Sequence, residues 1–236
     1  MSKKIKLFWY QHKEGCGNFG DELNPYIIER LTGSKIQWTS PYNGSRWNSI
    51  KTIAYLFLKE HRSFKEIRKS PAWQKFFNQP VIFAIGSIIR YCDTNVKVWG
   101  SGIISSNEFI PKAKFLAVRG KYTQKRLVDL GYKVPKTLGD PALLLPLVFK
   151  GVKEKKYKVG IIPHHVHYKE LQELNNQDVK VINLLDPIEV IIKDINLCNR
   201  TISTSLHGII VSHSYGVDSL WIDFDLDNKL TGDNIK

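Results

Sequence analysis

The chain has 236 residues, is 42% hydrophobic and carries a formal net charge of +13; this excludes a disordered chain and leaves room for one large domain or two small ones. Its three cysteines, Cys16, Cys92 and Cys198, share no CxxC or CxxH spacing, so neither a disulfide framework nor a structural zinc site is indicated and a reducing compartment is expected. The apolar stretches stop short of the roughly 20 residues that span a bilayer, and "MSKKIKLFWY" reaches polar residues too soon for a secretory signal, which points to a soluble or peripheral, cytoplasmic protein.

In chain order, "KIKLFWY" suits a buried strand and passes through "EGCGNFGDELN" into the helix-like "PYIIERLTG". Pro25 suits the first helical turn with Asn24 as the cap before it, and Gly33 ends the helix. From Asn48 to Ser70 apolar and charged residues alternate at helical spacing, as on a surface helix or one lying against a membrane. Three apolar segments follow, "PVIFAIGSII", "VKVWGSGII" and "AKFLAVRG", each running into glycine or a charge, as parallel strands do at a functional crevice. "KYTQKRLVDLG" predicts a helix stopped by Gly131, and "KTLGDPALLLP" a strand and turn.

The charged stretch Lys150 to Lys158 is the expected linker. It also divides the charge: residues 1–150 hold 25 Lys/Arg against 10 Asp/Glu, and the remainder 10 against 12. Such a basic half either attracts phosphates, nucleic acid or an anionic membrane, or is a solvated surface. Beyond the linker, "VGIIPHHVHY" and "KVINLLD" read as strands, "PIEVIIKDINLCN" as a helix, "RTISTSLHG" as a strand rising to a loop, "IIVSHSYG" as a helix and "DSLWIDF" as a last strand. The alternation predicts an α/β protein with two Rossmann-like domains facing across a cleft, residues 1–149 and 159–236 joined by 150–158.

An open parallel sheet binds ligands at the carboxyl ends of its strands. The loops there hold Asn18-Phe19-Gly20-Asp21, Gly86-Ser87, Gly100-Ser101-Gly102, Arg119, Asp140, His164-His165 and Ser205-Leu206-His207-Gly208. Glycine at a strand-to-helix turn lets backbone N–H groups approach an anion. Arg119 either grips a carboxylate or phosphate through two parallel bonds or pairs with a neighbouring carboxylate. His207 is a proton donor to an anion or a structural histidine, and His213 is expected to pack inside its helix. Asp21 activates a hydroxyl or caps a helix, and Asp140 before proline reads as a turn residue. "PHHVH" lacks a carboxylate at ligand spacing, so no metal site is expected. No P-loop and no GxSxG elbow occur.

The ordered set "NFGDELNPYI", "AIGSII", "VWGSGI", "AVRG", "LGDPALLLP", "GIIPHH" and "STSLHGIIVSHSYGV" resembles the polysaccharide pyruvyl transferase family over nearly the whole chain. The resemblance implies transfer of a pyruvyl group from phosphoenolpyruvate to two sugar hydroxyls of a capsular, exopolysaccharide or cell-wall glycan. It also implies a glycosyltransferase-B-like fold and no cofactor beyond the donor substrate. Arg119, Ser205, Leu206, His207, Gly208, His164 and His165 are then expected on the donor side, with His207, Arg119 and Asp21 catalytic. Asn18, Gly20, Asp21, Gly86 and Ser87 fall on the acceptor side. The implied partners are phosphoenolpyruvate and a glycan or lipid-linked acceptor, with peripheral contact to an anionic membrane. Nucleic acid is not expected, since no binding motif accompanies the charge. Members of the family commonly continue beyond "SLWIDFDLDNKLTGDNIK", so a shortened C-terminal end is expected. The competing readings are a nucleotide-sugar glycosyltransferase of the same architecture and an inactive polyanion-binding relative.

Overall fold

The computed structural model describes residues 4–11, 18–39, 46–70, 72–73 and 80–222; Cys16 lies outside them. Two parallel sheets carry the chain. The first contains β1 (Ile5–Phe8), β2 (Ile36–Trp38), β3 (Val81–Phe83), β4 (Val96–Trp99) and β5 (Lys114–Ala117) in the order β2-β1-β3-β4-β5. The second contains β6 (Tyr157–Ile162), β7 (Val179–Val181), β8 (Cys198–Ser203) and β9 (Asp218–Trp221) in the order β7-β6-β8-β9. Leu7 pairs with Ile82 in one sheet and Ile161 with Ile202 in the other. In each, the chain steps one way from the first strand and then crosses to its other side, so the topology reverses between β1 and β3 and between β6 and β8. A crevice opens at such a point beyond the strand ends, because the flanking connections diverge to opposite faces.

The helix α1 (Phe19–Thr32) starts six residues earlier than the proline suggested, with Asn18 as its cap and Pro25 inside it. Pro25 has no N–H to offer the Asp21 carbonyl one turn back. The Asn24 side-chain amide supplies it instead, donating to Asp21 O at 3.1 Å. Gly33 ends the helix at φ 64°, its N–H returning to Glu29 O. The expected helix over Asn48–Ser70 is two, α2 (Arg46–Leu58) and α3 (Phe64–Lys69). The break falls at His61, which has φ 51°, and α3 starts with a reciprocal Ser63–Glu66 cap. The strand β2 was not legible as one: its pattern is partly exposed and only three residues long.

Helix α4 (Lys121–Asp129) follows β5, α5 (Ile188–Asn196) precedes β8, and α6 (Leu206–Ser214) follows it. The last begins three residues before the apolar run that announced it. His213 is exposed on α6, with a ring nitrogen 3.3 Å from Ser219 O, and not packed within the helix. No helix among the described residues is long and apolar enough to cross a membrane.

One apolar cluster runs through both halves: Leu23 and Ile27 of α1 join Leu145, Ile162 of β6, Ile191 of α5 and Val211 of α6. Each such side chain stabilises the fold by about 1.5–3 kcal/mol when removed from water. A second cluster, including Phe83, Val98 and Leu127, fills the far side of the first sheet. Residues 150–158 are not wholly linker, since β6 starts at Tyr157. Lys155 caps the end of α5 by donating to Asn196 O and Cys198 O at 2.8 Å. Burial pushes the Cys92 and Cys198 thiols up to about 12, which keeps both as inert thiols at neutral pH.

Candidate active site

The first wall of the site comes from the turn that opens α1. Asn18 Oδ1 accepts from the Gly20 N–H at 3.2 Å, satisfying one of the donors a helix start leaves open. Asn24, fully buried, reaches across to the β3 loop, donating to Ile85 O at 3.1 Å and accepting from Ile85 N–H at 2.9 Å. This clamp holds Asp21 beside Gly86. Gly86 has φ 104°, a conformation glycine adopts freely, and a β-carbon there would lie 3.6 Å from Asp21 Oδ1.

Behind that loop stands Ser101, whose hydroxyl donates to Gly86 O at 2.8 Å. The guanidinium of Arg119 passes over Gly102, where a β-carbon would sit 2.8 Å from Nε. Its Nη2 donates to Ile103 O at 2.7 Å and to Ser87 Oγ at 3.0 Å, while the buried Nη1 has no hydrogen-bond partner. Burial pulls this guanidinium below its ordinary value, opposed by Asp140 and Glu108; arginine nevertheless stays cationic.

The opposite wall comes from β6, β8 and α6. The His164 N–H donates to Thr204 Oγ1 at 2.8 Å, and Ser203 Oγ accepts from the Ser205 N–H at 3.0 Å. The first ties the two loops to each other and the second braces the loop after β8. Ser205 stands at the N-cap position of α6 without a side-chain cap bond, and the first turn of α6 contains Leu206, His207 and Gly208. Gly208 faces inward, where a β-carbon would strike Ser203 Oγ and Ile162. That close approach seats α6 on its sheet and aims its N-terminus, with the partial positive charge of the helix, at the first wall.

The two walls enclose a cavity of about 410 Å³, within the range of small-molecule sites. Of the residues expected from sequence, Asn18, Gly20, Asp21, Gly86, Ser87, Arg119, His164, Ser205, Leu206 and His207 line it. His165 and Gly208 do not: His165 packs on the His164 ring with centroids 4.2 Å apart, and Gly208 is used for packing. Gly100, Ser101 and Gly102 support the wall from behind. The sequence reading missed Tyr10, Arg90 and Tyr91, which also line the cavity. Arg90 lies over the Tyr91 ring, 4.9 Å from its centroid, with Nη1 3.6 Å from Glu108 Oε1. Its signal was its position on the same loop as Gly86 and Ser87.

Asp140 is a turn residue as expected, its Oδ1 accepting from the Ala142 N–H at 2.9 Å. Its other oxygen lies 3.6 Å from His207 Nε2. Among the described residues no group of three or more His, Cys, Asp or Glu is arranged to hold a metal ion.

A family model described as "Polysaccharide pyruvyl transferase" matches residues 18–225. The chain is also 36% identical over 228 residues to "Uncharacterized protein L143" of Acanthamoeba polyphaga mimivirus, an alignment covering 93% of this chain and 68% of that protein. No solved structure matches the chain significantly.

Proposed function

Because the chain belongs to the polysaccharide pyruvyl transferase family, it is an enzyme that transfers a pyruvyl group from phosphoenolpyruvate to glycan hydroxyls, and we propose that donor and acceptor meet in the cavity between the two switch points. The observation that carries this reading is Arg119 Nη1, a buried cationic nitrogen without a hydrogen-bond partner. Arg119 lines the cavity with Leu206 and His207 of the first turn of α6, whose N–H groups have no intrahelical acceptor. Phosphoenolpyruvate brings a carboxylate and a phosphate, the two groups such donors take best.

In this reading the phosphate rests on the Leu206 to Gly208 turn, with His164 beside it, and the carboxylate meets Arg119. Proton transfer to the methylene carbon makes the adjacent carbon electrophilic. A sugar hydroxyl adds there, phosphate leaves with the carbon–oxygen electron pair, and a second hydroxyl adds to complete the ketal. The two hydroxyl protons balance the one gained by carbon and the one taken by phosphate. His207 is the assigned acid and Asp21 the assigned base, with general acid–base help of about 10²- to 10⁴-fold from such a group. The chemistry as written needs no cofactor beyond the donor.

Residues 1–149 carry the acceptor loops together with Arg119, and residues 159–236 carry the phosphate turn, in a glycosyltransferase-B-like arrangement that the opposed switch points support. The excess of cations in the first half, with exposed Tyr55, Phe57, Lys59 and Lys65 on α2 and α3 and in the turn between them, supports cytoplasmic work beside an anionic membrane carrying a lipid-linked acceptor.

Thermal unfolding with phosphoenolpyruvate, UDP and GDP tests the site. A ligand at about 100 times its dissociation constant stabilises the native state by about 2.7 kcal/mol. Phosphoenolpyruvate should stabilise the wild type and not Arg119→Ala. A shift with nucleotides only would move the reading to glycosyl transfer, and no shift with any ligand would favour an inactive polyanion-binding protein.

A further inference from the structure

Asp140 and His207 are 67 positions apart, and the fold brings them together by a specific route. Beyond β5 the chain makes one more parallel bridge, Val118 to Leu138, and Gly139 N–H donates to Val118 O at 3.0 Å. Pro141 then packs on Gly100 at the end of β4, so closely that Gly100 has no room for a β-carbon. This pins the Asp140 backbone at the carboxyl end of the first sheet. On the other side, His207 leaves α6 and its ring presses on Gly20 of α1. The Asp140 side chain is buried, 2% exposed, and that of His207 is largely enclosed, 12% exposed.

Neither polar atom of this pair is otherwise satisfied: Asp140 Oδ2 and His207 Nε2 are both buried without a hydrogen-bond partner, and they face each other at 3.6 Å. The distance is beyond a hydrogen bond, yet catalytic contacts are often long before ligand binds and tighten in the complex. The cap that holds Asp140 uses only Oδ1, so Oδ2 is available to His207.

We propose that Asp140 is the positioning residue of His207: its carboxylate holds one ring proton on Nε2, orients the ring and stabilises the charged ring, so that the second proton, carried on Nδ1, is the one His207 gives to the donor as acid. A carboxylate behind an imidazole fixes tautomer and orientation and stabilises the charged ring that forms during proton transfer, without itself being protonated. Here the roles of the two nitrogens follow from the fold, because Nε2 faces Asp140 and Nδ1 faces the Gly20 side. The catalytic consequence rests on the reading of His207 as the donor-side acid; the tautomer does not.

The test is nitrogen-15 NMR of the histidine rings in the full chain, with and without phosphoenolpyruvate, in the wild type and in Asp140→Asn. His207→Gln identifies the His207 signals. Asparagine caps as well as aspartate, so the turn at Pro141 survives while the charge opposite the ring is removed. In the wild type His207 should carry its proton on Nε2, with the signature sharpened by phosphoenolpyruvate. In Asp140→Asn that preference should be lost while affinity for phosphoenolpyruvate changes by less than about threefold. A neutral wild-type His207 whose one proton sits on Nδ1, or an unchanged tautomer in Asp140→Asn, overturns the proposal; the first outcome needs no variant to fold. If phosphoenolpyruvate fails to bind the wild type, the donor-site reading falls while the tautomer still decides the role of Asp140.

Discussion

A β-carbon on Gly20 would occupy the space of the His207 imidazole, so the first turns of α1 and α6 meet through a glycine and a histidine. Gly20→Ala must therefore displace the ring or push the helices apart. Overpacking of this kind costs about 1–3 kcal/mol. The expected outcome is a lower unfolding midpoint together with loss of the phosphoenolpyruvate-induced shift. A variant with wild-type ligand response would show that His207 is not needed where it stands.

Asn24 is expected to matter for stability as much as any apolar core residue. Asn24→Ala removes the partner of Asp21 O, Ile85 N and Ile85 O at once. Each buried group left unsatisfied costs about 1–3 kcal/mol, so urea denaturation should show a loss of about 3 kcal/mol or more. Pro25→Ala, which gives Asp21 O a backbone donor, should recover part of it in the double variant. Equal losses in the single and double variants would mean that the missing proline N–H is not what Asn24 compensates.

Arg119→Lys preserves charge and discards shape. Lysine cannot hold Ser87 and Ile103 while pointing a second nitrogen at a ligand. Phosphoenolpyruvate affinity, read by calorimetry, should fall by about tenfold or more. Wild-type affinity in this variant would reduce the role of Arg119 to a point charge.

Glu108 gives the protein a pH dependence with a defined sign. Burial raises its carboxyl above the ordinary value, outweighing the Ile104 N–H and the Arg90 and Arg119 guanidiniums. The folded state then holds a proton that the unfolded state has released, so its contribution is fully present below the unfolded value and is lost as pH rises through the folded one. Glu108→Gln keeps an oxygen for Ile104 and should flatten this slope. Urea midpoints from about pH 4 to 7 check it, and identical slopes in the two proteins would refute the assignment.

Much of the site was legible because apolar runs that stop at Gly86, Arg119 or Ser205 mark strand ends, and strand ends converge in a parallel sheet. The start of α1 was misread because proline favours a first turn, and only the side chain of Asn24 makes Pro25 tolerable further in. The break at His61 lies in the polar stretch from Lys59 to Ser63, which reads as the charged face of one long helix between Leu58 and Phe64. The contact of Asp140 with His207 has no local signature, since it depends on how the end of β4 and the turn before Pro141 stack in space. Arg90 was passed over because the segment carrying Gly86 and Ser87 reads as a strand end followed by an apolar run, and only its position on that loop points to the cavity.

The apolar cluster shared by α1, β6, α5 and α6 bears on how this chain could be divided. A polypeptide ending near residue 150 would present Leu23 and Ile27 to water, and one starting there would present Ile162 and Ile191. Neither fragment closes its own interior, so the connecting segment is a poor place for a nick, an insertion or a swap between relatives, however loop-like its composition.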